Sequence, residues 1–409
     1  MKKIQKSLLY FFALITISLT SGIVGTLLTE LIHWIQKLTF GYQEGGFSQM
    51  IASIPPERKV LALFLSGLVA GFGWYFLYTR AKHIIPIGSV IKGSQEMSSF
   101  SNFCHGLLQL ITVSMGAPVG REGASREVST SISNLWLKNT HLSKEEIKIL
   151  LACASGSALG AVYNAPFATS LFILETLRVK RSFKMLISAI FSSFFSVLIV
   201  QFFIGRIVQY QLPRLQIKPQ LFLFAVLASL IISIIAYYFR KLLATLPKQK
   251  LAAPIYISRI IICFTLIGFI SIYFPQILGN GRAGLLFILH HQTISSYYLL
   301  GLVLAKAIAV TLVFFSGASG GKIAPSMMLG GSLASLLAVG WNYLFPFQID
   351  SSFATIIGSS IFLGQLNRMP LSAVFFLTEI SGQPIINSLP LLMALIIMLM
   401  LNYFVLNKN

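Results

Sequence analysis

Two glycine-rich segments carry the residues of this sequence that could do chemistry. Residues 116–125 read GAPVGREGAS, and residues 317–326 read GASGGKIAPS. Both begin Gly-Ala, both place a glycine four residues later, and both put a charged residue directly after that glycine. Each pattern is typical of a turn that opens a helix, and a helix N-terminus attracts anions through its amides and dipole. The pair predicts an anion site between two helix N-termini, with the carboxylate of Glu122 as a movable occupant.

Glu122 could serve such a site in different ways. A deprotonated carboxylate resembles an anion and can occupy the site, whereas a protonated one can leave it, so proton movement becomes linked to anion movement. Alternatively, Glu122 is a static helix cap, or it pairs with Arg126 one turn later. Lys322 likewise either adds positive potential to the site or forms a salt bridge with a glutamate. The residues alone leave these alternatives open.

The composition places both segments in a membrane protein. The chain of 409 residues is 56% hydrophobic and only 10% charged, and its mean hydropathy is +0.80. Stretches without formal charge and of membrane-spanning length recur along it, at residues 7–29, 60–79, 185–205, 221–239, 260–281 and 387–406. We therefore expect an all-α, multi-pass integral membrane protein.

The net charge of +20 does not indicate a nucleic-acid-binding protein. Its basic residues stand in short clusters at the ends of apolar segments, as the positive-inside rule predicts for cytoplasmic loops. The clusters are Lys2, Lys3 and Lys6; Arg80 and Lys82; Arg178, Lys180, Arg181 and Lys184; and Arg240, Lys241, Lys248 and Lys250. The N-terminus is then cytoplasmic, and the run from residue 7 is a spanning helix because it is too long for a signal peptide.

The two halves of the chain repeat one pattern. Asn164 precedes Pro166 and Glu175 follows that proline by nine residues, and the same order recurs from Asn367 through Pro370 to Glu379. We expect one transmembrane domain built of two repeats, about 7–205 and 219–407. Matching helices broken by glycine and proline are typical of a binding site at the bilayer midplane.

The remaining carboxylates and the cysteines indicate no catalytic or metal site. Glu127 follows Arg126 and is expected either to form a local ion pair or to lie at the rim of the site, while Glu175 and Glu379 near helix ends are expected to be structural. The cysteines, Cys104, Cys153 and Cys263, have no metal-ligand spacing. An intramembrane enzyme would need a nucleophile–base pair or metal ligands at depth, so we expect neither an enzyme nor a cofactor or metal.

At these motifs the sequence resembles the CLC family of chloride channels and chloride/proton exchangers. The GREG run at 120–123 resembles the family's GREGP segment, with Ala124 in place of proline. The GGKIAP run at 320–325 resembles GGIFAP, and NAP at 164–166 with LFILE at 171–175 resembles the family's NAPLAG…EE helix. The likeness extends from the first helix to Leu406 and implies the family's inverted-repeat fold, in which broken helices meet at the bilayer midplane.

The resemblance implies a role for individual positions. Glu122 would be the external gating glutamate. Chloride would be bound by the backbone amides of Arg121, Glu122, Gly123, Lys322, Ile323 and Ala324. Ser89 would match the serine of the family's GSGIP segment, although Val90 replaces its second glycine and Lys92 its proline. The family forms homodimers with a pore in each subunit, and we expect a homodimer here.

Two departures from the family bear on the function. Thr176 stands where exchangers have their internal proton-transfer glutamate, so either Glu175 substitutes, water carries the proton, or coupling is lost. The family's final helix with its tyrosine, and its cytoplasmic CBS domains, are expected to be absent. We expect a chloride transporter of the bacterial inner membrane that exchanges chloride for protons across the lipid bilayer. The alternatives are an uncoupled chloride channel and a fluoride/proton antiporter.

Overall fold

The computed structural model describes residues 3–41, 50–81, 83–177, 182–206, 208–246, 253–291 and 294–406, and the regular structure in these ranges is helical apart from one isolated bridge. The predicted all-α architecture is confirmed. The α-helices are α1 Lys3–Phe40, α2 Pro56–Arg80, α3 Ile87–Lys92, α4 Ser99–Ser114, α5 Glu122–Leu137, α6 Lys144–Tyr163, α7 Pro166–Thr176, α8 Phe183–Ile204, α9 Gln220–Thr245, α10 Ala253–Tyr273, α11 Arg282–His290, α12 Ser296–Ser316, α13 Ile323–Leu344, α14 Ser351–Asn367, α15 Pro370–Ile380 and α16 Ser388–Leu401.

Many of these helices suit a bilayer. In the described part of the chain, nine are long and apolar enough to cross a membrane. The first is longer than its apolar run of 7–29 predicts, because α1 has 38 residues and includes the charged Glu30 and Lys37. At about 1.5 Å per residue it exceeds a hydrocarbon core of about 30 Å. Its charged turns can therefore lie outside the hydrocarbon, where they do not end the helix.

The chain divides into two compact units, which interleave along the sequence. The first unit comprises residues 1–32, 73–110 and 122–209. Within it, α6 packs against α5, α7 and α8. The contact of α6 with α7 requires glycine, because a Cβ on Gly156 would lie 2.1 Å from Ile173 Cγ1. Small residues thus bring these helices together as the Ala-, Gly- and Ser-rich composition of α6 predicts.

Both ends of α6 follow from local sequence signals. Ser143 and Glu146 form a capping box, in which the Ser143 side chain accepts a hydrogen bond from the Glu146 amide and the Glu146 side chain accepts one from the Ser143 amide. The helix ends at Asn164, which has a φ of 56°. Asparagine tolerates this left-handed conformation, and Pro166 then starts α7 as its first residue.

Glu146 also joins two of the predicted basic clusters in the first unit. Lys184 Nζ lies 2.7 Å from one Glu146 carboxylate oxygen, and Lys6 Nζ lies 3.8 Å from the other. The starts of α1 and α8, which carry these two lysines, therefore lie close together beside the start of α6. Seven members of the basic clusters lie outside the described residues, namely Lys2, Lys82, Arg178, Lys180, Arg181, Lys248 and Lys250.

The second unit comprises residues 33–72, 111–121 and 210–409. Its tightest helix pair is α13 with α14, where a Cβ on Gly330 would lie 2.2 Å from the carbonyl oxygen of Gly358. The helix α14 ends at Arg368 with a φ of 54°, and Pro370 then begins α15. This break has the same order of conformations as the one between α6 and α7.

Candidate functional site

The two glycine-rich turns are bonded to each other inside the second unit. The amide of Gly120 donates to the carbonyl oxygen of Gly321 over 2.7 Å, and the amide of Gly321 donates to the carbonyl oxygen of Gly120 over 2.9 Å. Two residues after each of these glycines a helix begins, α5 at Glu122 and α13 at Ile323. The reciprocal bond fixes the backbone of both turns directly before the helices that they open.

Each turn begins, after the preceding helix, at a glycine with a left-handed backbone conformation. Gly116 follows α4 with a φ of 105°, and Gly317 follows α12 with a φ of 90°. Residues with a Cβ rarely adopt such values, so these positions favour glycine. The carbonyl oxygen of Gly116 also accepts a bond from the amide of Gly279 over 2.9 Å. Three turns of the second unit are therefore linked in series.

The close approach of the turns makes one glycine difficult to replace. A Cβ on Gly320 would lie 2.3 Å from Val119 Cγ2 and 2.6 Å from Val119 Cβ. We expect Gly320→Ala to lower the free energy of unfolding by about 1–3 kcal/mol, as overpacking does in other cores. Gly340→Ala in α13 is the matched control, because a Cβ there meets nothing within 4 Å. Equal melting temperatures of the two variants would contradict this account of the turn.

Glu122 is the first residue of α5 and is almost completely buried, with 2% of its surface exposed. The hydroxyl of Tyr163 donates to Glu122 Oε2 over 3.4 Å. Arg126 does not form the pair with Glu122 that the sequence left open. Its Nε donates to Ser155 Oγ over 3.1 Å, and its guanidinium lies over the Phe172 ring, 4.9 Å from the centroid. The carboxylate therefore stands at a helix N-terminus without Arg126 as its ion-pair partner.

Glu127 does not form the ion pair with Arg126 that was one of the two expectations. Glu127 Oε2 instead lies 2.6 Å from His105 Nδ1, and Gln109 Nε2 donates to the same oxygen over 3.3 Å. Adjacent residues of a helix point about 100° apart and do not face each other, so α5 directs these two side chains to different neighbours. Within the part of the chain that the structure describes, no group of three or more His, Cys, Asp or Glu side chains could hold a metal ion.

The other predicted chloride-binding positions, apart from Ser89, lie along the chain at the start of α5 or at the start of α13. Arg121 is buried and precedes α5, and Gly123 is the second residue of that helix. Lys322 directly precedes α13, and Ile323 and Ala324 are its first two residues, both buried. Lys322 Nζ lies over the Phe314 ring, 4.8 Å from the centroid. In both segments the backbone at these positions is that of a helix start, where amides lack acceptors in their own helix.

Ser89 and the proposed proton residues lie in the first unit. Ser89 is half-buried inside the short helix α3. Glu175 and Thr176 are the last two residues of α7, and both are half-buried. Among the described residues, the buried Thr176 Oγ1 has no hydrogen-bond partner. A threonine hydroxyl does not ionise near neutral pH, whereas a carboxylate can take up and release a proton.

One residue of the second unit was missed in the sequence. Lys306 lies midway along α12 and has no exposed surface. Its Nζ donates to the carbonyl oxygens of Ile277 over 2.8 Å and Gly279 over 3.0 Å. Gly279 in turn bonds Gly116, so the ammonium group supports the linked turns. A lone lysine within an apolar run is costly in a membrane and indicates a specific role, and this signal could have singled out Lys306.

Comparison with known proteins agrees with this arrangement of helices and turns. A family model described as "Voltage gated chloride channel" matches residues 66–402. A voltage-gated ClC-type chloride channel, ClcB, of Escherichia coli O9:H4 is 24% identical over 377 residues, which cover 86% of this chain and 85% of that protein. The corresponding protein of Citrobacter koseri is 22% identical over 350 residues and 83% of each chain.

Solved structures share the fold at lower identity. A slow cyanobacterial Cl−/H+ antiporter superposes with a TM-score of 0.81 at 19% identity, covering 98% of this chain and 97% of that one. A CLC-type fluoride/proton antiporter superposes with a TM-score of 0.68 at 17% identity, covering 99% and 97%. The family match spans most of the chain and includes both glycine-rich turns. The chain therefore belongs to the CLC family of voltage gated chloride channels.

Proposed function

We propose that this chain moves chloride across the membrane in exchange for protons, with Glu122 as its external gate. In this proposal the anion is bound by backbone amides at the starts of α5 and α13, contributed by Arg121, Glu122, Gly123, Lys322, Ile323 and Ala324, with Ser89 as a further ligand. Dipolar ligation without a dedicated cation suits a permeating ion, because binding remains weak enough for the ion to leave. No enzymatic step is part of this mechanism.

The reciprocal bond between Gly120 and Gly321 is the observation that carries the proposal. It joins the two turns directly before the helices whose N-termini would bind the anion. Anions at helix N-termini are stabilised by the partial positive charge of the dipole and by the first amides. The family membership of the chain supplies the substrate class, since relatives include proteins named as chloride channels.

Glu122 would couple the two fluxes through competition. As a carboxylate it would occupy the anion position, and on protonation it would release that position to chloride. Its burial at a helix start supports this role. Proton transfer to the other side would pass Glu175 or water, because Thr176 offers only a hydroxyl.

Thr176 favours a second candidate function, an uncoupled chloride channel. Because position 176 lacks a carboxylate, Glu175 is the acidic side chain left there to carry a proton between Glu122 and the cytoplasmic side. A fluoride/proton antiporter is the third candidate, since a protein described in those words shares the fold. These alternatives differ from exchange in their proton flux and in their anion selectivity.

The test is a reversal-potential measurement on purified protein in liposomes. Chloride and pH gradients are opposed, and the potential at which net current vanishes is recorded. Exchange predicts a reversal potential that shifts with the pH gradient at constant chloride. A reversal potential set by chloride alone would support the channel and contradict exchange, and preference for fluoride over chloride would support the fluoride antiporter.

We further propose an inner-membrane protein of a bacterium, with a cytoplasmic N-terminus, that assembles as a homodimer of two-repeat subunits. Lys6 and Lys184 both pair with Glu146. This shared partner supports placing the N-terminus and the start of α8 on the same side of the membrane. The repeats 7–205 and 219–407 are supported by the matched breaks at Asn164 and Arg368. Cysteine accessibility from either side of the vesicle tests the orientation.

A further inference from the structure

A cavity of about 310 Å³ lies in the second unit, where α14 ends and α15 begins. Two guanidinium groups and two amides supply its polar walls. Its lining consists of Arg240, Gly364, Gln365, Arg368, Pro370, Met398, Leu399 and Asn402. The amides are paired with each other, because Gln365 and Asn402 exchange two hydrogen bonds of 2.8 Å each. The guanidinium groups therefore remain the strongest donors available to a ligand.

The two arginines have no carboxylate between them. Among the described residues, neither guanidinium forms an ion pair, and Arg240 Nη1 donates only to the carbonyl oxygen of Gln365 over 2.8 Å. The acids of the flanking helices stand at their far ends. Asp350 caps the other end of the 17-residue α14, about 25 Å away, and Glu379 lies near the end of the 11-residue α15, about 15 Å away. The cavity thus holds two close positive charges that repel each other.

The backbone does not require an arginine at this place. Arg368 has a φ of 54°, in the left-handed region that side chains with a Cβ rarely adopt. The corresponding break in the first unit is made by Asn164 with a φ of 56°, and asparagine adopts this conformation more readily. The exposed Arg368 side chain therefore adds charge at a strained position where a neutral residue would fit the backbone better.

We propose that this cavity binds the phosphate group of an anionic lipid. Guanidinium groups match phosphate oxygens with paired hydrogen bonds, and the N-terminus of α15 at Pro370 adds partial positive charge on the same side. Basic pockets between transmembrane helices on the cytoplasmic side bind such headgroups, and the sequence places the Arg240 cluster on that side. This proposal does not depend on the role of Glu122.

The apolar part of the lining favours a lipid over a free phosphate ion. Met398 and Leu399 belong to α16, and Leu399 is 47% exposed on a face that continues through Ile396 and Met393. An acyl chain attached to the bound phosphate can lie along this face and bury apolar surface. Inorganic phosphate offers the same oxygen atoms to the arginines but nothing to the apolar residues.

The experiment compares phosphatidylglycerol with phosphatidylcholine as ligands of the delipidated full-length protein, by native mass spectrometry across a lipid titration. Arg368→Asn removes one charge while keeping a residue that suits the left-handed backbone. Lys241→Gln is the matched control, because Lys241 is exposed, neighbours Arg240 and does not line the cavity. Thermal unfolding with added inorganic phosphate forms a second arm.

We expect phosphatidylglycerol to bind more tightly than phosphatidylcholine, and Arg368→Asn to weaken its binding about tenfold, as loss of a charged hydrogen-bonding partner does. The control variant should bind like wild type. If inorganic phosphate raises the unfolding temperature of wild type but not of Arg368→Asn, the cavity is a phosphate site that also accepts a soluble ligand. Equal affinities for the two lipids, or equal losses in Arg368→Asn and Lys241→Gln, would overturn the proposal.

Discussion

Replacing Glu122 with glutamine is expected to abolish chloride-driven proton transport while chloride flux persists. Glutamine keeps the shape of the side chain but cannot take up or release a proton. If Glu122 gates the wild-type protein as proposed, its protonation removes the competing carboxylate, and chloride flux should rise as the pH falls. The variant should lose this pH dependence. Simultaneous recording of chloride and proton fluxes from proteoliposomes measures both effects.

The matched control is Glu145→Gln in the first turn of α6. Glu145 is also an acid at a helix start, but its side chain is 65% exposed and pairs with Lys148 over 2.8 Å. This substitution should leave the ratio of proton to chloride flux unchanged. If Glu122→Gln carried protons at the wild-type rate, the gating role of Glu122 would be excluded.

Lys306→Met is expected to lower the stability of the protein and its chloride flux together. The substitution leaves the carbonyl oxygens of Ile277 and Gly279 buried without their donor. Two charge-assisted hydrogen bonds are lost, each with a net contribution of about 1.5–3 kcal/mol. Methionine avoids the cost of burying an ammonium group, so we expect a net loss of about 2–4 kcal/mol. Because Gly279 holds Gly116, the turn ending at Gly120 should also shift, and chloride flux should fall about tenfold or more.

Two further variants separate the structural effect from a loss of charge. Lys306→Arg keeps a charge and several donors and should retain part of the stability and flux. Lys37→Met removes an exposed lysine from α1 and should change neither. Thermal unfolding in detergent and chloride efflux from liposomes give the two readouts. Wild-type values of both for Lys306→Met would show that the ammonium does not support the turns.

Much of the helical architecture could be predicted from local chemistry. The start and end of α5 follow from the glycine turn at 120 and the polar linker after 137, and the start of α6 follows from the Ser143–Glu146 capping box. Proline at positions 166 and 370 marks the starts of α7 and α15 because its ring suits the first turn of a helix. These signals act over a few residues and are therefore visible in one sequence.

Contacts between distant segments could not be predicted in the same way. Glu127 contacts His105, and Lys306 donates to two backbone carbonyl oxygens. These contacts depend on how the helices pack, and the sequence alone offers many other possible partners. The length of α1 was also missed, because a charge ends an apolar run but does not end a helix. The contact between the two glycine-rich turns is the exception, because the repeated pattern indicated that the two segments lie together, although it did not identify Gly120 and Gly321 as the bonded residues.

The most direct test of the backbone-dipole account is anomalous diffraction from crystals of Glu122→Gln protein grown with bromide in place of chloride. Bromide occupies halide sites and is located by its own scattering signal. The account predicts a bromide peak beside the amides at the starts of α5 and α13, near Gly123 and Ile323. Bromide found only at surface guanidinium groups, with none beside either helix start, would contradict it.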